Sequence, residues 1–424
     1  MKSAVLVGIG AGSYGGITDD ARTAIEAAAV VVGASRVVSS VSDLIHGHSF
    51  YEYNPERILE IFDSYCESST KSGKNSHVKI CAALFSGDTG FYSGATKLYS
   101  LLVEKGWSVK IFPGISCVQY FASRLGTVWQ DWHLVSAHGI SCNLGAHLRA
   151  GRKTCFITGG DITALSIMEF LSSRGLNDIE VSIGVRLSYL DEQIYTGKVS
   201  DALGFAKKNM TSELAVVLVD MCVLNAEYGP AALPDEVFVR SEGEPLVPMT
   251  KQIVRASVMS LLSLRDDEVF WDVGAGTGAV SVDAARCAAC SVYSVEDKAE
   301  AILLEEKNRA KFCVLNMEIV RGHAPEALVD LPAPDAVFVG GSEGHLSDII
   351  RTAYNSHAKA NKENALRVVV AAVTTETLVE CMEISKELKG VTCEVTQVSV
   401  ASTKLLGRHH LLRAENPVFL ISLS

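Results

Sequence analysis

The chain has 424 residues, 48% hydrophobic and 21% charged, which is long enough for two or three domains of an ordinary globular protein. Its net charge of −11 argues against a nucleic-acid substrate, although a local basic pocket could still hold a small anion. Because no apolar run reaches transmembrane length and residues 3–9 already have the pattern of a strand, we predict no membrane segment, no leader peptide and a cytoplasmic location.

The first half begins with a predicted strand at residues 4–8 that runs into a glycine loop. Thr18 then opens a helix with Asp19 and Asp20 in its first turn. Further strands are predicted at residues 30–33, 78–85 and 108–112, and a helix at 95–105. Ser116 has the position of an N-cap residue for a helix that extends to residue 125. This alternation predicts a largely parallel sheet with ligand-binding loops at the carboxyl ends of the strands.

A second run of elements begins near Leu134. Strands are predicted at residues 153–158, 181–185, 193–197 and 215–219, and helices at 164–173 and 199–206. The pattern then fails, because residues 225–248 contain four of the ten prolines and no clear period. The sequence therefore predicts a first domain at residues 1–228, a linker at 229–248 and a second domain at 249–424.

A glycine-rich unit lies near the start of the second domain, after a predicted helix at residues 250–264. A short apolar run ends in Asp272, Gly274, Gly276 and Gly278 follow at alternating positions, and the next apolar run ends in Glu296. Strand, glycine loop, helix, strand and acid form a nucleotide-binding unit. An acid before G-x-G-x-G would repel a diphosphate and favour the sulfonium and ammonium of S-adenosylmethionine (SAM). We therefore predict a SAM site.

The rest of the second domain continues the alternation of helices and strands. We predict helices at residues 299–311, 346–355 and 376–388. Strands are predicted at 318–320, 336–339, 366–371, 393–400 and 418–422. With the two strands of the glycine unit this makes seven, which fits a doubly wound sheet that finishes in an antiparallel hairpin.

Cysteine and histidine spacing gives no metal site. The eleven cysteines are scattered, and Cys287 and Cys290 have the spacing of half a zinc site without a second pair. Cys81, Cys155 and Cys222 lie in apolar runs, where a buried thiol is the simplest interpretation. We expect no bound metal and a reducing compartment.

Each half also resembles a known methyltransferase family. The first half resembles the tetrapyrrole methylases in VGIGAGS (7–13), FSGDTGFYSG (85–94), FPGISCVQ (112–119), LVSAHG (134–139) and the span 152–160. The second half resembles class I SAM methyltransferases of the cobalamin pathway in PMTKQIVRA (248–256), WDVGAGTGAVSVDAAR (271–286), GHAPEAL (322–328), PDAVFVGGSEGHL (334–346) and NPVFLIS (416–422). The ordered set matches fusions of these two families and covers nearly the whole chain.

This resemblance implies an α/β protein with two parts. The N-terminal part has the tetrapyrrole methylase fold of two α/β subdomains, and the C-terminal part has the Rossmann-like class I SAM-dependent methyltransferase fold. Each domain would bind one SAM. The first would methylate C5 of precorrin-6Y or its cobalt form, and the second would methylate C15 and decarboxylate the ring C acetate to give precorrin-8. The expected partner is this small-molecule substrate, in a homo-oligomer without nucleic acid or membrane.

The resemblance also implies roles for residues of this chain. The predicted SAM-binding residues are Gly10, Gly87, Asp88, Ile115, Ser116, Asp272, Gly274, Gly276, Gly278, Glu296 and Ala324. Asp272 would lie near the ammonium group of SAM, Glu296 at its ribose and the Ala324 backbone at its adenine, because His323 stands where the family usually has an acid.

The substrate edge would lie at Gly341 and Ser342. Because the substrate carries many carboxylates, we also predict cationic contacts from Lys251, Arg255 and Arg408. Lys251 and Arg255 are four residues apart on a predicted helix, whereas Arg408 belongs to a basic cluster with Lys404 and His409. No acid or base is assigned, since methyl transfer from a sulfonium depends on positioning and on exclusion of water.

Three alternatives stay open from the sequence alone. The chain could methylate another substrate, such as RNA or a different tetrapyrrole. It could be an NAD-dependent dehydrogenase, which the glycine spacing and Asp272 oppose. It could also be a binding or scaffold protein with one decayed methylase domain. His323 replaces the usual acid, and Ala11 and Thr89 replace prolines that are common in the family. The sequence does not specify a cobalt-containing or metal-free substrate, or the order of the two methylations.

Overall fold

The computed structural model describes residues 2–12, 16–71, 80–137, 143–209, 215–224, 232–241 and 246–424. Two compact units are present. Unit 1 consists of Met1–Ser141 and Lys153–Asp220, and unit 2 of Cys142–Arg152 and Met221–Ser424. Much of the predicted linker and the end of the LVSAHG motif lie outside the described residues, so the domain boundaries stay a prediction. No helix in the described part of the chain is long and apolar enough to cross a membrane.

The first half of the chain contains ten strands and eight helices among the described residues. The strands are β1 (Ser3–Gly8), β2 (Val30–Gly33), β3 (His48–Tyr51), β4 (Ile80–Phe85), β5 (Ser108–Phe112), β6 (Trp132–Ser136), β7 (Lys153–Ile157), β8 (Glu180–Val185), β9 (Gln193–Lys198) and β10 (Ala215–Asp220). The helices are α1 (Asp19–Glu26), α2 (Ser35–Ser39), α3 (Pro55–Lys71), α4 (Ala95–Glu104), α5 (Cys117–Leu125), α6 (Leu144–His147), α7 (Ala164–Ser173) and α8 (Val199–Lys208).

Unit 1 is built from two five-stranded sheets. The first has the order β3-β2-β4-β1-β5, and every neighbouring pair is parallel, as the sequence predicts. Its central strands are almost continuous apolar runs because helices cover both faces of a parallel sheet. Both predicted helix starts are confirmed: the Thr18 hydroxyl accepts from the backbone N of Ala21, and Ser116 and Gln119 form a capping box.

The second sheet of unit 1 is mixed, and its strand pairing was not predicted from the sequence. Its order is β6-β7-β10-β8-β9, and β6–β7 is the one parallel pair in it. The strands β8 and β9 are joined by a short turn, which permits only antiparallel pairing. The alternation of strands and helices along the chain did not reveal this, because β10 enters the sheet between β7 and β8.

The second half of the chain continues the numbering of the elements. The strands are β11 (Val269–Val273), β12 (Ser291–Glu296), β13 (Met317–Arg321), β14 (Ala336–Val339), β15 (Arg367–Ala372), β16 (Cys393–Val398), β17 (Ala401–Leu406), β18 (His409–Ala414) and β19 (Val418–Leu423). The helices are α9 (Gln252–Leu262), α10 (Ala279–Cys287), α11 (Ala299–Lys311), α12 (Leu346–Lys359) and α13 (Thr375–Glu387).

Unit 2 contains a seven-stranded sheet of order β13-β12-β11-β14-β15-β19-β16. The strands β11 to β15 are parallel, and β19 runs antiparallel between β15 and β16, which confirms the doubly wound sheet with a terminal antiparallel hairpin. Apolar cores lie on its two faces. Leu233 and Phe238, from the predicted linker, are buried in one of these cores. The strand order changes direction at β11, with β12 on one side of it and β14 on the other. Since these strands are parallel, the loops after β11, β12 and β14 lie at one edge of the sheet.

The strands β17 and β18 were not predicted from the sequence. They pair only with each other in the described structure, and every residue of both strands is exposed. Leu405, Leu406, Leu411 and Leu412 are between 51% and 79% exposed. Strand prediction relies on one buried and one exposed face, so a hairpin without a buried face has no such signal.

Candidate active sites

The glycine loop of unit 2 follows β11 and brings three chain segments into close contact. Gly274, Gly276 and Gly278 have φ values of +70°, +59° and +73°, in the left-handed region that favours glycine. A Cβ at Gly274 would lie 2.5 Å from the carbonyl oxygen of Gly341, and one at Gly276 would lie 2.7 Å from that of Pro248. Glycine is therefore required in this loop both by the backbone conformation and by the lack of space for a side chain.

Glu296 lies at the end of β12, beside this loop, and is 7% exposed. Its carboxylate accepts hydrogen bonds from the backbone N of Gly276 at 2.8 Å and from those of Asp297 and Lys298 at 3.0 Å. These bonds fix the acid at the edge of the sheet, where it can accept further bonds from a diol. The structure therefore brings Glu296 and the glycine loop together, as the sequence predicts.

A cavity of about 400 Å³ opens at this edge. Its lining combines the loops after β11, β12, β13 and β14 with the segment before α9. It includes Gly274, Gly276, Glu296, Ala324, Gly341 and Ser342 from the predicted set, and also Val247, Pro248, Lys298, His323 and Glu343. Because Gly274 and Gly276 have no side chains, backbone groups of the loop line this part of the cavity, which fits a bound SAM. The contributions of Pro248 and Val247 were missed, because a proline-rich segment carries no periodic signal.

Asp272 is oriented differently from the prediction. Its side chain is fully buried, with Oδ2 lying 2.5 Å from the Ser281 hydroxyl, which is 2.9 Å from the hydroxyl of Ser294. The Ser294 hydroxyl in turn contacts buried Glu305. Burial raises the pKa of Asp272 to about 7 and that of Glu305 to about 8. This inward orientation does not favour direct contact between Asp272 and the SAM ammonium; it indicates a support beneath the loop.

His323 lies in a cluster of exposed charged groups at the cavity. Its Nδ1 is 3.6 Å from Glu326 Oε2 and its Nε2 is 3.7 Å from Glu343 Oε2. Ligand atoms of Asp297, His323 and Glu343 lie within 4.8 Å of one another, which would permit a metal ion. However, the Lys298 ammonium is already 2.6 Å from Glu343, so ion pairing accounts for the arrangement.

The three basic residues predicted for the substrate have different surroundings. Arg255 is fully buried, with Nε 2.8 Å from Asp283 Oδ2 and Nη1 2.9 Å from Asp235 Oδ1, so it corrects the prediction of a substrate contact. The four-residue spacing of Lys251 and Arg255 does not distinguish an exposed side chain from a buried one, which explains the error. Lys251 is the partly exposed N-cap residue of α9, and its Nζ lies 3.7 Å from Asp235 Oδ2. Arg408 lies exposed in the turn between β17 and β18.

In unit 1 three glycine loops meet at the carboxyl ends of the parallel strands. Gly10 and Gly87, both at positive φ, exchange backbone hydrogen bonds of 3.2 and 2.7 Å. A Cβ at Gly114 would lie 2.2 Å from the Gly87 carbonyl oxygen. The Asp88 carboxylate accepts from the backbone N of Gly90 at 2.8 Å and of Gly114 at 3.2 Å, and so joins the loops after β4 and β5.

A second cavity, of about 200 Å³, lies between these loops and the second sheet of unit 1. It is lined by Gly87, Asp88 and Ser116, as predicted, and by Ala11 next to Gly10. Ile115, beside Ser116, is 41% exposed. The absence of side chains where the glycine loops meet leaves backbone groups accessible, which fits a bound SAM. Four other residues that line this cavity were not predicted as site residues: Arg36, Phe91, Tyr92 and Tyr189. Phe91 and Tyr92 belong to the motif at 85–94, whereas no motif contains Arg36 or Tyr189.

Both halves of the chain match family models. Residues 4–203 match the tetrapyrrole (corrin/porphyrin) methylases, and residues 244–424 match the precorrin methyltransferase domain. These matches follow the same order as the motifs in the sequence. The second contains the whole lining of the C-terminal cavity, and the first contains most of the lining of the N-terminal cavity.

Curated relatives agree with this division. The chain is 41% identical over 198 residues to a probable cobalt-precorrin-6B C(15)-methyltransferase (decarboxylating) from Pyrobaculum calidifontis, covering 46% of this chain and 96% of the relative. It is 28% identical to a precorrin-6Y C(5,15)-methyltransferase [decarboxylating] from Sinorhizobium sp, over 88% of this chain and 84% of the relative. A cobalt-precorrin-6B C(15)-methyltransferase (decarboxylating) from Salmonella typhimurium is 34% identical, over 45% of this chain and 94% of the relative.

Proposed function

The chain belongs to the precorrin methyltransferases of cobalamin biosynthesis, with a tetrapyrrole methylase domain ahead of a precorrin methyltransferase domain, and on that premise we propose the reaction of each domain. The N-terminal domain methylates C5 of precorrin-6Y or its cobalt form. The C-terminal domain methylates C15 and removes carbon dioxide from the ring C acetate. The observation that carries this proposal is the presence of a glycine-lined cavity at the carboxyl ends of the strands in each unit.

Each cavity holds one SAM in this proposal. When bound, SAM supplies an activated methyl group. In unit 2, Glu296 accepts the ribose hydroxyls, the loop from Gly274 to Gly278 approaches the methionine part, and the Ala324 backbone faces the adenine. In unit 1, Gly87, Asp88 and Ser116 line the corresponding cavity, and Gly10 and Ile115 lie next to the lining residues Ala11 and Ser116. The residues position the two reactants and exclude water.

The macrocycle enters the C-terminal cavity beside Gly341 and Ser342. These residues follow β14, next to the glycine loop, and their lack of bulk leaves room for a flat substrate edge. The conjugated macrocycle accepts the electron pair of the carbon–carbon bond when carbon dioxide leaves. The substrate itself therefore stabilises the charge that decarboxylation produces. Lys251 is a partly exposed cation next to Thr250, which is part of the cavity lining.

Family membership excludes one of the alternatives raised by the sequence. The chain is a methyltransferase and not a dehydrogenase. We further propose that it forms a homo-oligomer through the exposed hairpin of β17 and β18, where Arg408 also lies, and that it works in the cytoplasm. The exposed leucines of the hairpin support the oligomer, since large exposed apolar groups mark contact surfaces.

Mass spectrometry of the product tests the proposed reaction. Incubation with SAM and precorrin-6Y is expected to add two methyl groups and remove one carbon dioxide. The Gly276→Arg variant is expected to add one methyl group and retain the carbon dioxide. Transfer of no methyl group by the unmodified protein would refute the proposal, and loss of both methyl additions in Gly276→Arg would refute the division between domains.

A further inference from the structure

Two side chains from different parts of unit 1 meet at the mouth of the N-terminal cavity. Arg36 is an exposed residue of α2, which follows β2 of the first sheet. Tyr189 lies in the turn between β8 and β9 of the second sheet. The Arg36 Nη1 donates a hydrogen bond of 2.8 Å to the Tyr189 hydroxyl. Since both residues line the cavity, this bond spans the cleft between the two sheets.

The positive charge of Arg36 is not balanced by a carboxylate in the part of the chain that the structure describes. The neighbouring arginines are balanced: Arg186 lies 2.6 Å from Asp191, and Arg124 lies 2.7 Å from Glu192. None of the ion pairs among the described residues includes Arg36. A neutral hydroxyl orients its guanidinium while its other N–H groups stay available, and a guanidinium fork matches the geometry of a carboxylate.

Tyr189 is itself held in a fixed position. A Cβ at Gly12 would lie 2.5 Å from the Tyr189 ring, so the ring packs directly on the first glycine loop. The Arg186 guanidinium lies 5.0 Å from the ring centroid on a cation–π contact. Because the ring is fixed against the glycine loop, its hydroxyl holds Arg36 at a defined distance from the predicted SAM site.

Two further aromatic side chains, Phe91 and Tyr92, form part of the cavity lining. The Phe91 and Tyr92 rings are 4.8 Å apart in an edge-to-face arrangement, and Tyr92 is 61% exposed. Exposed aromatic faces suit a flat conjugated ligand. SAM also carries one carboxylate, so the SAM affinity of an Arg36 variant distinguishes a contact with the donor from a contact with the tetrapyrrole.

From this geometry we propose that Arg36, oriented by Tyr189, is a carboxylate subsite that binds an acidic side chain of the tetrapyrrole. This contact fixes the position of the macrocycle relative to the N-terminal SAM site. The inference rests on the proposed function and adds to it a residue that determines substrate recognition. It accounts for the recognition of an acidic macrocycle by a chain that carries a net charge of −11.

Steady-state kinetics with precorrin-6Y as the varied substrate test the subsite. Arg36→Gln is expected to raise KM about 10- to 100-fold, the range for loss of a hydrogen bond to a charged group, with the SAM affinity unchanged in calorimetry. Arg36→Lys is expected to restore part of this loss, because it keeps the charge without the fork. Tyr189→Phe is expected to raise KM less, because it removes only the orienting hydroxyl.

Arg57→Gln is the matched control, since Arg57 is an exposed arginine of α3 outside the cavity lining. An unchanged KM in Arg36→Gln, or an equal rise in Arg57→Gln, would overturn the subsite. Titration with uroporphyrin, a flat tetrapyrrole with eight carboxylates, separates the two proposals. If the unmodified protein transfers no methyl group, the proposed function fails; weaker uroporphyrin binding by Arg36→Gln alone would still support the subsite, and equal binding would refute it.

Discussion

Arg255 is held by four oxygen atoms inside unit 2. Its guanidinium contacts Asp283 and Asp235 and the backbone carbonyls of Thr250 and Leu233. These contacts tie α9 to α10 and to the segment before α9, directly beneath the wall of the C-terminal cavity. A buried charge with all these partners stabilises the native arrangement only while the whole set is present.

We expect Arg255→Gln to destabilise the C-terminal domain by about 3–5 kcal/mol, because Asp283 would be left buried without its partner. Lys251→Gln is the control, since the Lys251 side chain is 44% exposed and its pair with Asp235 is worth about 0–1 kcal/mol. Urea unfolding followed by tryptophan fluorescence measures both. If Arg255→Gln left stability unchanged and raised only the KM for precorrin-6Y, Arg255 would be a substrate contact after all.

The buried acids Asp272 and Glu305 predict a pH dependence of stability. Burial raises both pKa values, to about 7 and about 8, so the folded state binds their protons more tightly than the unfolded state. Their stabilising contribution is present below about pH 4 and is lost as pH rises towards 8. Urea midpoints measured from pH 5 to 8 should therefore fall less steeply in Glu305→Gln than in the unmodified protein. Equal slopes in the two proteins would contradict this assignment.

Gly274 shows how strongly a single residue can specify the loop. In Gly274→Ala the new Cβ would clash with the Gly341 backbone, and alanine would also be strained at the φ of +70°. Gly390→Ala, at φ +78° with no atom within 4 Å, carries the backbone strain alone, about 1–2 kcal/mol. We expect Gly274→Ala to lower SAM affinity in the C-terminal domain and Gly390→Ala to leave it unchanged. Similar SAM affinities in the two variants would show that the loop tolerates a side chain.

Among the elements, the parallel strands and the helix N-caps at Thr18 and Ser116 were predictable, whereas the hairpin of β17 and β18 was not. Strands such as β14 are apolar along their whole length because both faces are covered, and their bounds agree with the prediction. The strands β17 and β18 bury neither face within the chain, so no apolar period marks them. The antiparallel pairing in the second sheet of unit 1 depends on where β10 inserts, which is a tertiary property.

The hairpin predicts a measurable effect on assembly. Replacing Leu406 and Leu412 by Asp should lower the molar mass found by light scattering, because charges would be placed in the proposed contact between copies. Leu190→Asp is the control, since Leu190 is fully exposed in unit 1. A monomeric unmodified protein, or an oligomer that survives both substitutions, would contradict assembly through the hairpin.

At the scale of the whole molecule, each half has its own sheet edge, glycine loops and cavity. The backbone part of both sites was predictable, because glycine spacing and the acid Glu296 are local signals that follow strands. The side chains around the two sites were less predictable. Arg36 and Tyr189 are 153 positions apart, and Arg255 and Asp283 are 28 apart, so only the folded chain shows which charges are exposed and which are neutralised.

The central claim is that one chain carries two SAM sites, and calorimetric titration of the intact protein with SAM tests it most directly. The predicted result is two sites per chain, falling to one in Gly276→Arg, where the side chain would enter the C-terminal cavity. Gly87→Arg should likewise leave one site, by filling the N-terminal cavity. A single site in the unmodified protein that disappears in Gly276→Arg would contradict the claim, because the N-terminal cavity would then not bind SAM.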